Sequence, residues 1–354
     1  MEQDSINDIR TEFRNITFSK FQKSKAKQEF LSCLYHSKIE NACYWCAEFI
    51  CAGHFLDLWD IIIFYYCKYI YSGNPKLPIY LSMRFDNFYN VLNSGYSNNI
   101  LVLRNNSKIR KLFAEIICIL CYSNKKHIYQ DVKLNKTEEF DLINISSRFK
   151  APNVHYIHNI MKDDDPKELL IPLNELIYNL NCKNIIDICY WFEWIMEYET
   201  ICKKKKKKCI AQARNYAPKG EHNDIIWIIW DIIFYYSQEE NILLNIPDKD
   251  KKLVTKIIKS LYDLFIIKYS SSAKKKRKYI IYYCFNLLIE NINLNIPLTE
   301  KTNEIEAIIN KIDTIYKEIK KNEISPGTDY LFTNLKKSNM EKTIEKIEMI
   351  NNLE

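Results

Sequence analysis

Ala42-Cys43-Tyr44-Trp45 is followed by Trp59-Asp60-Ile61-Ile62-Ile63-Phe64-Tyr65-Tyr66, with Trp45 and Trp59 standing 14 positions apart. A second version comes later: Cys189-Tyr190-Trp191, then Trp230-Asp231-Ile232-Ile233-Phe234-Tyr235-Tyr236, with 39 positions between Trp191 and Trp230. A chain rich in Ile, Asn, Lys and Tyr can repeat strings such as IIIFYY through A/T-rich codon bias, but that bias does not favour tryptophan. All six tryptophans (Trp45, Trp59, Trp191, Trp194, Trp227, Trp230) fall in these two segments. Two origins fit this pattern, an internal duplication or two similarly buried helix pairs. Both runs are apolar nearly all round, as core helices are.

Outward from these runs the chain punctuates as helices. Ser37 with Glu40 fits a capping box, and Gly53 ends that helix. A further helix starts near Phe55 and stops at Ser72-Gly73-Asn74-Pro75. Others are expected over 20–35, 78–93 and 107–122. In the second half Asp163-Asp164-Asp165-Pro166 reads as an acidic cap with proline at the first helical position. Asn184, Asn223 or Asp224, Pro247-Asp248, Lys274, Thr299 and Ser338 open the remaining helices. Strand signal is nearly absent, so the expected fold is all-α, a bundle or array of about ten to twelve helices built as two related halves. The expected organisation is a flexible N-terminal arm (1–18), helical half one (19–125), an irregular connection (126–162), helical half two (163–292) with a basic insertion at 202–220, and C-terminal helices (293–354).

Composition narrows function. Five glycines are present, none of them close together, so neither G-x-G-x-x-G nor G-x-x-x-x-G-K-[ST] occurs. Phosphate loops need glycine for close backbone approach, which argues against a nucleotide site, and no cofactor is expected. Met1 to Arg14 holds no apolar secretory core. Twelve cysteines in such a chain read as reduced thiols. The apolar stretches Leu58–Cys67 and Ile225–Tyr236 fall short of the ~18–20 residues that cross a bilayer, so no membrane is expected as a partner.

Charge is local. Lys and Arg total 51 against 44 acids, but Lys203 to Lys208 and Lys274 to Lys278 supply eleven of them, and the remainder carries a net of −4. The candidate polyanion-binding residues are therefore Lys203, Lys204, Lys205, Lys206, Lys207 and Lys208, with Lys274, Lys275, Lys276, Arg277 and Lys278. Concentrated basic charge on a slightly acidic chain suits a DNA or RNA backbone. The first run could equally be a solvated loop, or meet acidic lipid or protein. The second has the look of a nuclear import signal. It also sits unfavourably at the N-terminus of the helix that follows, a position tolerated where an anion lies nearby or, equally, where water solvates the helix end.

Other constellations have plainer readings. Cys43-x-x-Cys46 and Cys118-x-x-Cys121 could surround zinc tetrahedrally, but they lie in apolar helices, where free cysteine packs as a small hydrophobe, and no metal is expected. His155-x-x-His158 lacks a completing carboxylate. Glu48, Asp60, Glu193 and Asp231 recur beside the tryptophans. They could form a metal-assisted phosphoryl site, but dipole stabilisation and buried pairing with arginine or lysine, for example Arg84, Arg104 or Arg110, is the simpler role.

Taken whole, the segments NACYWCAEFICAGHFLDLWDIIIFYY, GNPKLPIYLSMR, LRNNSKIRKLFAEIICILCYSNKKH, DIIWIIWDIIFYY and SPGTDYLF resemble a protein family of large nucleocytoplasmic DNA viruses of the giant-virus and algal-virus kind. The resemblance spans about residues 30 to 335. It brings no assigned activity or catalytic residues, and implies a viral protein made in infected cytoplasm. Asn41 to Gly53 with the next helix is similar, over about thirty residues, to the helical hairpin in the C-terminal region of clamp-loader-related proteins of the RarA type, whose ATPase modules have no counterpart here. The expected function is a non-enzymatic viral accessory or scaffold near nucleic acid in replication, transcription or packaging. The alternative is a virion structural or assembly component, with a metal-dependent enzyme third. Other viral proteins are expected partners. The expected location is host cytoplasm or viral factory, with the nucleus or the particle as further sites.

Overall fold

The computed structural model describes residues 5–97, 99–126, 132–135, 140, 145–238 and 240–324. Thirteen α-helices occur among them: α1 (Lys23–Tyr35), α2 (Ile39–Cys51), α3 (Phe55–Tyr65), α4 (Leu77–Asn93), α5 (Ser107–Tyr122), α6 (Leu170–Asn181), α7 (Ile185–Lys204), α8 (Ile226–Ser237), α9 (Asp248–Phe265), α10 (Ser271–Lys276), α11 (Lys278–Ile289), α12 (Thr302–Asn310) and α13 (Ile312–Lys320). The protein is all-α. Its extended pairing, among the described residues, is one isolated bridge between Ile16 and Gln22. No helix of the described residues is long and apolar enough to cross a membrane. The helix expected from Ser338 and the SPGTDYLF block lie outside the described residues.

The chain forms two compact units that do not follow the expected consecutive halves. Unit 1 is Met1–Leu58, Asn90–Cys118 and Asn303–Glu354, and unit 2 is Trp59–Tyr89 and Ile119–Thr302. The boundaries at 58, 89 and 118 fall inside α3, α4 and α5.

In unit 1, α2 packs against α1 and α13. The α1 residues Ala26, Phe30, Cys33 and Leu34 are buried at i, i+4, i+7 and i+8, the stripe a core-facing helix needs. Lys38, not Ser37, stands at the N-cap of α2, and no side-chain hydrogen bond caps it. Gly53 does end this helix: at φ +72° its N–H donates to the Ile50 carbonyl (3.0 Å) and the His54 N–H to that of Phe49 (2.9 Å), a Schellman turn.

Of the expected flexible arm, residues 5–18 are packed. Ile6, Phe13 and Phe18 are buried. The Arg10 guanidinium lies 4.7 and 4.8 Å from the rings of Phe13 and Phe18. The fully buried Glu48 carboxylate accepts from the Ser19 N–H (2.9 Å) and hydroxyl (2.5 Å), tying this segment to α2. Its polar composition hid three apolar anchors spaced too irregularly to read as periodicity.

Unit 2 is organised around α11, where every residue from Tyr279 to Ile289 is buried. This helix packs against α6, α7, α8 and α9. The second expected Trp-bearing pair is not the main packing of its helices: α7 lies chiefly on α6, and α8 on α9 and α11. Trp230 meets Tyr262 and Phe265 of α9 edge-on at 5.1 and 5.2 Å, while Trp59 meets Phe85 of α4 at 5.2 Å.

In unit 2, α7 starts at a side-chain cap, Asn184, and α10 at another, Ser270. Asn184 accepts from the Asp187 N–H at the head of α7, and Asp224 from the Ile226 N–H at the head of α8. Asp165 was expected to cap α6. It is buried beyond that helix and accepts from the N–H groups of Lys162 and Gln212 (both 2.9 Å) and from Arg214. The insertion at 202–220 is therefore only partly a projection: Ala211, Arg214 and Ala217 are buried and its latter part is folded onto the unit.

Candidate nucleic-acid interface

The two basic runs, alike in sequence, have opposite environments. Lys203 and Lys204 form the last turn of α7, Lys205 is its C-cap, and Lys206 adopts φ +54°. The Lys206 N–H donates to the Lys203 carbonyl (3.2 Å) and the Lys207 N–H to that of Cys202 (2.9 Å), so this helix also ends in a Schellman turn, with lysine where glycine is usual. All six side chains from Lys203 to Lys208 are exposed. Among the described residues only Lys203 of the six has an ion-pair partner, Glu199 at 2.8 Å. Cations at a helix C-terminus are favoured by the macrodipole, which offsets part of their mutual repulsion. The result is a compact cationic cap.

Lys274 to Lys278 is a correction to the sequence-based expectation. Lys274 is 3% exposed, and its ammonium donates to Glu199 Oε2 (2.7 Å) and to Asp224 Oδ1 and Oδ2 (2.6 and 2.8 Å). Asp224 is held further by the Tyr269 hydroxyl at 2.9 Å. Arg277, also buried, donates Nη2 to Asp60 (2.8 Å) and Nη1 to the carbonyls of Phe265 and Ile267 (2.7 and 2.6 Å), satisfying chain ends that α9 leaves open. Lys278 pairs with Glu193 at 3.0 Å, and the Tyr282 hydroxyl donates to the same carboxylate at 2.6 Å. Lys276 is exposed, 3.7 Å from Asp60, and Lys275 is exposed beside Thr200. The run is an internal rivet between α3, α7, α8, α9 and α11 within unit 2. The anions that make a basic first turn tolerable are Asp60, Glu193, Glu199 and Asp224 of the protein itself. Neither Lys274 nor Arg277 is presented to a polyanion or to an import receptor.

The acids that recur beside the tryptophans are each engaged, with partners other than those expected. Asp231 accepts from Arg214 Nε (2.7 Å) and from the Tyr216 hydroxyl (2.7 Å). Arg214 also grips Asp165 through two nitrogens, at 2.5 and 2.8 Å. Burial acts to raise the Asp165 carboxyl, but hydrogen bonds from Arg214 and two backbone N–H groups hold it below the ordinary carboxylate range. Arg110 pairs with Asp313 (3.0 Å) and Arg104 donates to the Asp8 carbonyl (2.9 Å), both in unit 1.

Cys43, Cys46, Cys118 and Cys121 are all buried. Cys43 and Cys118 meet through a thiol hydrogen bond, which draws the Cys118 thiol below its ordinary range, while burial pushes Cys46 well above it. Among the described residues no group of three or more His, Cys, Asp or Glu side chains is arranged to hold a metal ion. His155 and His158 are exposed, with ring centroids 5.1 Å apart.

No family model matches the chain, and neither the curated proteins nor the solved structures contain a match.

Arg214 and its grip on Asp165 and Asp231 escaped the sequence reading. The available signal was a lone arginine between Ala211 and Ala217 in an otherwise polar insertion, a pattern more typical of buried chain than of a solvated loop.

Proposed function

We propose that the chain is a non-catalytic accessory or scaffold protein that holds the phosphate backbone of DNA or RNA on the lysine cap closing α7. The observation that carries this reading is the contrast between the basic runs: Lys274, Arg277 and Lys278 of one are taken up by four internal carboxylates, while of the six consecutive exposed lysines that end α7 only Lys203 has an ion-pair partner among the described residues. Point charges on flexible stems suit phosphate oxygens and carry no base readout, so binding is independent of sequence and steeply salt-dependent. Together with the resemblance noted above, this supports a role beside viral nucleic acid during replication, transcription or packaging.

The test replaces all six lysines 203–208 with alanine and measures affinity for duplex DNA and single-stranded RNA across a salt series. Five lysines without an ion-pair partner correspond to a slope of log affinity against log salt of up to about −4.5 for duplex. The variant is expected to lose most of that slope. Unchanged affinity and slope would remove the reading.

A further inference from the structure

We propose that Cys202 and Cys209 form a reversible disulfide that closes the lysine cap into a covalent loop and thereby regulates it; the regulatory half rests on the phosphate-binding role assigned above.

The two cysteines bracket the six lysines, and the fold brings them back together. The Schellman turn reverses the chain after α7, with the Lys207 N–H on the Cys202 carbonyl at 2.9 Å. Two residues beyond Cys209 the chain is anchored again: the Ala211 N–H donates to the Asn223 carbonyl (2.9 Å), the Asn223 amide to the Ala211 carbonyl (3.1 Å), and the Gln212 N–H to Asp165. Between these fixed ends the Cys209 thiol makes a side-chain hydrogen bond with Cys202. Both thiols are free. Accessibility marks Cys209 as the entry point of the pair: ten of the twelve cysteines, Cys202 among them, are buried, Cys182 is exposed and Cys209 is partly exposed. Cys182 faces the Tyr178 phenol, whereas Cys209 faces a second thiol.

The oxidant is a small-molecule disulfide such as glutathione disulfide. The Cys209 thiolate attacks one of its sulfurs, its S–S bond breaks, and one glutathione thiolate leaves. The Cys202 thiolate then attacks Cys209 Sγ in the mixed disulfide and expels the second glutathione. The two protein thiol protons end on the two departing thiolates. Two protein thiols are oxidised and one glutathione disulfide is reduced to two glutathione molecules. Burial, with the neighbouring Cys202 and Glu199, pushes the Cys209 thiol up to about 12, so the exchange is slow at neutral pH and quickens as pH rises. The cap is thus a clasp set by the standing redox balance rather than a rapid sensor. Once closed, the loop holds its lysines in the turn and less chain must be ordered on binding a phosphate backbone.

The experiment equilibrates the full chain with graded ratios of glutathione to glutathione disulfide, alkylates remaining thiols, digests with trypsin and reads linkages by mass spectrometry. The expected first protein disulfide joins the peptides carrying Cys202 and Cys209 and is absent from Cys209→Ser. Cys209 ending as a stable glutathione adduct, as Cys182 would, or joined to another cysteine, would overturn the proposal. In parallel, oxidised and reduced protein are titrated with labelled single-stranded DNA. Oxidation is expected to tighten binding by about 3- to 10-fold at an unchanged salt slope. Equal affinity of the two forms would overturn the regulation. Loss of the phosphate-binding role shows separately, as indifference of binding to the six-alanine substitution, while the mass readout still judges the disulfide.

Discussion

Replacing Lys274 with alanine separates a structural cation from a phosphate contact. Its ammonium sits between Glu199 and Asp224, and both carboxylates, like the lysine, are at most 5% exposed at the side chain. Removing one member of a buried ion pair typically costs about 3–5 kcal/mol, because the partner charge stays buried without compensation. Here Glu199 keeps Lys203, and Asp224 keeps the Tyr269 hydroxyl and the Ile226 N–H, so the expected loss is at the lower end, about 3 kcal/mol. For a cooperative unit of this size that corresponds to a fall in Tm of about 6–12 °C. The assay is thermal unfolding followed by circular dichroism, with the exposed Lys275→Ala as a control expected to stay within about 0.5 kcal/mol of the parent. DNA affinity and salt slope, measured below the transition, are expected to match the parent. A Tm loss under about 2 °C together with a salt slope reduced by about one would refute this account, since Lys274 would then be meeting phosphate rather than carboxylate.

Lys206→Gly relieves the left-handed backbone at φ +54° and is expected to raise stability by about 0.5–1 kcal/mol, read by urea unfolding, while removing one cationic contact from the salt slope. Asp165 makes stability acid-sensitive in a defined direction. Its folded carboxyl ionises below the ordinary 3.8, so its contribution is complete above that value and disappears as pH falls through the lower, folded one. Asp165→Asn is expected to cost about 3 kcal/mol at pH 7, and the gap to the parent should narrow in unfolding curves taken towards pH 2.

The sequence showed helices far better than partners. Asn184 opened its helix as read, because a cap is a contact over two or three residues and its chemistry lies beside the apolar run it serves. Of the acids beside the tryptophans, Asp60, Glu193 and Asp231 take cationic partners, but Arg277, Lys278 and Arg214 rather than the arginines the sequence offered, and Glu48 takes Ser19. Lys274 reaches Glu199 across 75 positions and Arg277 reaches Asp60 across 217, and nothing local ties such residues together. For the same reason the runs at 203–208 and 274–278 looked equivalent: adjacency in sequence records charge density, whereas availability depends on what the fold places opposite. The central position of α11 was legible only as an apolar helix among several. Burial of its whole circumference required four further helices around it.

Unit 1 brings the two ends of the described chain together. Asp8 accepts from the Ile324 N–H at 2.6 Å across 316 positions, and Arg110 waits for Asp313. During synthesis its first 58 residues and its middle segment emerge long before residues 303 onward. At roughly 5–20 residues per second the ribosome takes on the order of 10–50 s to supply what is missing. Throughout that interval α2 has no α13 to pack against, while by the time residue 303 emerges every segment of unit 2 has been made. Unit 2 is therefore the part that can fold first. The N-terminal segment is chemically the oldest part of the chain and structurally among the last to settle, which makes unit 1 the natural client of a chaperone during synthesis.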